Sequence, residues 1–203
     1  RRRHTLPELA LDLALLFLPG AGVWLLAYRG ELVLGGFGGL AAILTAGHFH
    51  AAGFGVLAMT GLLGRGLAEA HLPRARKLYT FVAPALMLAF PLLAAGIATA
   101  IRPIELTGAI LYAFALPLLA GLQLTAAIHL RGRPPLARLL LAASALAVLL
   151  ATGFALRFAS QGFYGAAVEL STMLRWHALV NVAGFLGLGL LAWSLPRAPA
   201  RPA

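Results

Sequence analysis

Two short stretches carry the residues best suited to chemistry. The first is LTAGHFHAAGF, Leu44 to Phe54, in which His48 and His50 flank Phe49 inside a long apolar run. The second is MLRWHALVNVAGF, Met173 to Phe185, in which His177 and Asn181 lie four residues apart. A neutral imidazole both takes and gives a proton near neutral pH. An Asn amide beside it polarises a carbonyl, epoxide or hydroxyl oxygen, or holds the imidazole in one tautomer. His48, His177 and Asn181 therefore suggest proton-transfer chemistry on an apolar, lipid-like substrate: isomerisation, cyclisation or ring opening. No Ser-His-Asp set, acidic diphosphate-binding motif or paired metal-binding carboxylate set is present. With no cysteine, disulfides, thiolate catalysis and Cys-ligated metals are excluded.

Three histidines also raise a haem or metal site. The HxH spacing is not the i, i+4 spacing that a helix-borne metal pair prefers. No metal and no cofactor is therefore expected.

These side chains must be positioned by helices. Residues two apart on a regular helix point about 200° apart. His48 and His50 thus serve one site only if the helix is distorted, which Gly47, Gly53 and Gly55 permit. On an ideal helix His50 shares a close-packing side with Gly35, Gly39 and Gly53, and His48 shares its side with Thr45, Ala52 and Gly55. His177, Asn181, Met173 and Gly184 form one stripe, with Gly184 leaving room for a ligand or a neighbouring helix. Counted from the expected cytoplasmic helix ends, His48, His50, His177 and Asn181 all fall at roughly 21 to 27 Å. His50, Thr45, Met173 and Arg175 are the expected substrate-binding neighbours, with Arg175 also in reach of Glu169 as a surface ion pair. Tyr112 and Gln123, eleven residues apart on one helix face, are further substrate-binding candidates that packing alone would explain.

A lone intramembrane His or Asn commonly serves to bond two helices together, worth about 0.6 to 2 kcal/mol. Three His and an Asn in one layer favour a functional site.

Composition says what kind of helices these are. The chain has 203 residues, 61% hydrophobic and 11% charged, with mean hydropathy +0.90. A soluble domain carries roughly 25% charged residues. A membrane-crossing helix needs about 20 apolar residues, and six segments qualify: Leu6 to Tyr28, Leu32 to Leu63, Leu78 to Ile101, Leu106 to Leu130, Leu136 to Phe158, and Ala167 to Leu195. The second is longer than one crossing needs, so it must tilt, protrude or break. The expected fold is an all-α, multi-pass transmembrane bundle in the inner membrane. It forms one domain over 1–196, with a disordered tail over 197–203.

The net charge of +10 does not indicate nucleic acid, because the basic residues sit in short loops between apolar runs. There they orient helices and favour anionic lipid headgroups, making membrane lipids expected partners. Arg1, Arg2, Arg3, Arg65, Arg74, Arg76, Lys77, Arg131, Arg133, Arg138, Arg197 and Arg201 all fall on one side of a six-helix chain. Only Arg29, Arg102 and Arg157 fall on the other, so both termini are expected in the cytoplasm. The basic, apolar N-terminal stretch runs on through AGVWLLAY without a cleavage site, which marks a retained first helix. The chain does not open on methionine, so residues upstream of Arg1 are expected.

LTAGHFHAAGF, followed by GLLGR, resembles the HFHxAGF segment of YndJ-like bacterial membrane proteins, and HALVNVAGF resembles their second segment. The resemblance carries over onto His48, His50, Gly53, Phe54, His177, Asn181, Gly184 and Phe185. Ala51 stands where an aromatic is expected and Ala178 where glycine is expected, and both would reshape the space around the histidines. The resemblance implies a polytopic membrane protein and identifies a site more than a function. Transport of a small molecule stands as an alternative, with a homo-oligomer forming the path, since six helices without an internal repeat disfavour an ion-coupled transporter.

Overall fold

The computed structural model describes residues 5–159 and 169–196. Arg1, Arg2 and Arg3, the expected helix start at Ala167, and the tail 197–203 with Arg197 and Arg201 lie outside the described residues. Among the described residues the chain is helical, and six helices are long and apolar enough to cross a membrane. They are α1 (Leu6–Arg29), α2 (Leu40–Glu69), α3 (Pro73–Thr99), α4 (Arg102–His129), α5 (Pro135–Ala159) and α6 (Leu170–Ser194). Two are interrupted by wider, π-helical turns: α2 at Phe49–Gly55, and α6 at Met173–His177 and Val180–Gly187.

Local chemistry sets the ends. In α1, Pro7 falls in the first turn, where its missing N–H costs nothing, and Glu8 faces the positive end of the helix dipole. Gly30 closes the helix, its N–H donating to Leu26 O at 2.8 Å. Pro19, Pro84, Pro91 and Pro117 lie inside helices without ending them, as transmembrane helices tolerate.

The long second segment resolves by breaking. Leu34 and Phe37 exchange backbone hydrogen bonds at 3.0 and 2.9 Å, closing a tight turn, and α2 begins only at Leu40. Gly35, Gly36 and Gly39 adopt φ of 56°, 86° and 50°, which L side chains rarely adopt. This corrects the expectation that these glycines form a close-packing side with His50. They are turn formers outside the helix, and a Cβ on any of them would meet nothing within 4 Å.

The residues gather into two compact units. The first takes the chain up to Leu62 together with Ala83–Tyr112. Within it, α1 packs Ala10, Ala14, Phe17 and Ala21 on one stripe, and the three alanines are essentially inaccessible. Phe17, Phe49 and Phe90 meet edge to face, with centroids 4.9 to 6.0 Å apart. Gly53 lets them close, since a Cβ there would stand 3.0 to 3.1 Å from Phe17 and Phe90. The α3–α4 hairpin is tighter still. A Cβ on Gly96 would run into the backbone of Glu105, and one on Gly108 into that of Leu93. Close backbone approach through small residues is what holds helices together when lipid removes the hydrophobic difference.

The second unit takes Leu63–Val82 and the residues from Ala113 onward. There Gly184 of α6 faces Ala147 of α5 so closely that an added Cβ would lie 2.8 Å from the Ala147 Cβ. A buried polar relay joins three helices. Gln123 Nε2 donates to Ser144 Oγ at 2.9 Å, and Ser144 Oγ donates to Phe185 O at 2.7 Å. Arginines finish two helices by donating to their last carbonyls: Arg138 to Ala127 and Ile128 of α4, and Arg133 to Trp193 and Leu195 at the end of α6.

Candidate active site

In the first unit, the histidine pair sits at the junction between regular and widened helix. Phe49 turns inward to the aromatic cluster, and His48 and His50 on either side of it are exposed on the surface of the chain. Each ring folds back on its own helix. His48 Nδ1 lies 2.7 Å from Leu44 O and His50 Nδ1 lies 2.9 Å from Ala46 O. A carbonyl can only accept, so Nδ1 carries the hydrogen in both rings and Nε2 keeps the lone pair. Neither Nε2 meets a protein partner among the described residues.

Tyr112 explains the widened turn. Val56 N–H reaches back five residues to Ala51 O instead of four to Ala52 O. The skipped carbonyl of Ala52 accepts the Tyr112 hydroxyl at 2.9 Å. The extra residue is thus stabilised by a donor from α4, and such π-helical turns recur at functional sites. Tyr112, expected as a substrate contact, has its hydroxyl committed to the backbone of the histidine motif. Thr45 is similarly committed, donating to Ala41 O at 2.8 Å.

In the second unit, His177 is half-buried against α5. Its Nδ1 donates to Ala151 O at 3.0 Å, which again puts the basic lone pair on Nε2. The Asn181 amide nitrogen is 3.1 Å from Nε2 and 3.4 Å from Nδ1. An amide in line with the Nε2 lone pair would stand about 5 Å from Nδ1. Asn181 therefore lies across the ring, and its aligned bond is the one to His177 O at 3.1 Å. The tautomer of His177 is set by Ala151, not by Asn181 as the sequence suggested. Of the two occupants expected beside Gly184, a ligand or a neighbouring helix, it is the helix that closes on it, through Ala147 of α5.

The other candidates separate. Gln123 is fully buried in the relay with Ser144 of the second unit, and Tyr112 belongs to the first unit. Arg175 does not bridge to Glu169. Its guanidinium lies 5.9 Å from the Trp176 ring centroid, and Glu169 accepts from Ser171 at 3.2 Å. Met173 is half-buried where the first widened turn of α6 begins. Sequence reasoning missed the carbonyl of Ala151 and the inward role of Phe49. The second had a signal: a phenylalanine at the centre of a run rich in glycine, with polar residues on both flanks.

No solved structure matches the chain. Over 194 residues it is 30% identical to the uncharacterized membrane protein YndJ of Bacillus subtilis (strain 168), an alignment covering 95% of this chain and 34% of that protein. The chain thus spans about a third of the length of that curated relative. This is an integral membrane protein with multiple spans, and since the family of YndJ-like proteins matches it over residues 1–185, the chain belongs to that family.

Proposed function

We propose that this protein is a membrane enzyme of the cytoplasmic membrane that moves protons on an apolar, lipid-like substrate. One observation carries the reading. In His48, His50 and His177 alike, Nδ1–H is tied to a backbone carbonyl, so the basic nitrogen of each ring is Nε2. Such a bond fixes the ring orientation and the tautomer. An exposed lone pair inside a membrane span is costly unless something donates to it. His48 and His50 stand roughly 12 to 15 Å into α2 from its Leu40 end, where water is scarce. A substrate O–H or acidic C–H supplies that donor. At His177, a substrate oxygen bound to Nε2 would also meet the Asn181 amide, which polarises it.

Isomerisation, cyclisation and ring opening require a proton taken at one atom and returned at another. A neutral imidazole does both without a co-reactant. The test compares apolar extracts of cells lacking the gene and supplied with wild type, His48→Gln, His50→Gln or His177→Ala. The expected result is a species of unchanged mass and altered retention that appears with wild type and is lost in at least one variant present at normal level. Identical extracts from all strains overturn the reading.

A further inference from the structure

The two halves of α2 make packing demands that a regular helix cannot meet together. Both lie against α1. In the first half, the Phe49 ring closes on Gly20, where an added Cβ would stand 2.7 Å from it. Four residues on, Gly53 takes the Phe17 ring. In the second half, Gly61 admits Leu11 and lies so near the α1 backbone that its Cβ would stand 2.7 Å from Pro7 O. Phe49 and Gly61 are twelve residues apart, so on a regular helix they point about 120° apart. The residue that a regular helix lines up with Gly61, to within about 20°, is His50. A regular α2 seated on α1 by Gly61 would therefore turn His50 into the aromatic cluster and carry Phe49 out of it.

The widened turn reverses this choice. Val56 N–H bonds Ala51 O, so one residue more than usual fits into the turn. That surplus residue absorbs about 100° and brings Phe49 to within about 20° of Gly61. Phe49 is inward, and His48 and His50 are outward, because of it. The cost falls on the skipped carbonyl of Ala52, for which a bilayer offers no water as donor. Tyr112 supplies the donor from α4, its hydroxyl 2.9 Å from Ala52 O. The regular register is also within reach. It needs the first half of α2 to screw by about 100° and about 1.5 Å. At the start of that half, Gly35, Gly36 and Gly39 have open space around them.

We propose that Tyr112 is the positioning residue of the histidine motif: its hydroxyl holds the surplus residue of α2, and so keeps Phe49 inside the aromatic cluster and His50 outside it. This rests on the proton-transfer reading for the use of the motif. Its test follows the place of a ring and not a product, so the two readings fail separately.

The measurement is the histidine ring spectrum of the purified chain by NMR, with the His50 signals assigned from His50→Gln. Tyr112→Phe keeps the aromatic ring and removes only the hydroxyl. Loss of the donor should favour the regular register about tenfold, within the range of an unmade buried hydrogen bond. The His50 ring protons should then move upfield in the ring currents of Phe17 and Phe90, while those of His177 stay in place. Deleting Ala52 from the Tyr112→Phe chain removes the surplus residue and should return the His50 signals to their original positions. Deleting Ala51 does the same, and serves where the first deletion does not fold. His50 signals unmoved by Tyr112→Phe overturn the proposal. Signals that move equally with and without the deletion also overturn it, because the hydroxyl then acts on something other than the surplus residue.

Discussion

The amide nitrogen of Asn181 stands across the imidazole of His177, 3.1 Å from Nε2 and 3.4 Å from Nδ1, while that ring's Nδ1–H is held by Ala151 O of the neighbouring helix. The ring is thus oriented by α5, and the amide sits beside the basic nitrogen without capping it in line. Asn181→Leu should leave the Nδ1–H of His177 on Ala151 O, as read from its ring 15N shifts. It should cost about 0.5 to 1.5 kcal/mol in stability through the lost bond to His177 O. A switch of tautomer in this variant would show that Asn181, and not Ala151, sets the proton.

The α3–α4 hairpin gives the sharpest packing prediction. The neighbours of a Cβ on Gly96 or Gly108 are backbone atoms of Glu105 and Leu93, which cannot rotate away as a side chain can. Gly96→Ala or Gly108→Ala should force the helices apart, costing on the order of 1 to 3 kcal/mol. Gly47→Ala, with nothing within 4 Å, should be neutral. Melting temperatures of the three variants in one detergent check this, and a neutral Gly96→Ala would mean the hairpin is looser than described.

How much of this was legible in the sequence follows from the kind of physics involved. Six apolar runs gave six helices, because length against bilayer thickness is a local property. Ends were less certain. The segment from Leu32 reads as helix by hydropathy, yet Gly35, Gly36 and Gly39 turn it, since positive φ is invisible to an apolar count. The histidines and Asn181 could be named as polar residues in the wrong solvent. Their proton positions could not, because the deciding acceptor of His177 is a backbone carbonyl 26 residues away. Nor could the widened turn at Phe49–Gly55, whose spare carbonyl is taken by Tyr112 from 60 residues along the chain.

Topology remains a prediction from charge. Arg65, Arg74, Arg76 and Lys77, on the helix ends that flank the turn at Glu69–Pro73, and Arg131 and Arg133 between α4 and α5 oppose the sparse ones at Arg29, Arg102 and Arg157. Reporters inserted at Gly35 and at Ala100 should read as external, and reporters at His71 and Gly132 as cytoplasmic. A cytoplasmic signal at Gly35 would invert the bundle and the leaflet that faces Arg133 and Arg138.

The final prediction separates chemistry from stability. His48 and His50 are exposed, and each bonds only a carbonyl of its own helix four residues back. His177 instead joins α6 to α5 through Ala151. Of the glycines expected on the side of His50, Gly35 and Gly39 lie outside α2, and Gly53 packs against Phe17 and Phe90. His48→Gln and His50→Gln should therefore change stability by less than about 1 kcal/mol. His177→Ala should cost about 0.6 to 1.7 kcal/mol, the range of an interhelical bond in a bilayer. An acid–base group typically contributes 10²–10⁴-fold in rate, or roughly 3 to 5 kcal/mol of barrier. A catalytic imidazole thus loses far more activity than its stability change explains, and the helix-two variants show this most cleanly, since almost no stability is at stake. Melting temperature and product level measured together for each variant decide it. Activity that falls only in proportion to folded protein in all three would make the histidines structural and end the enzyme reading.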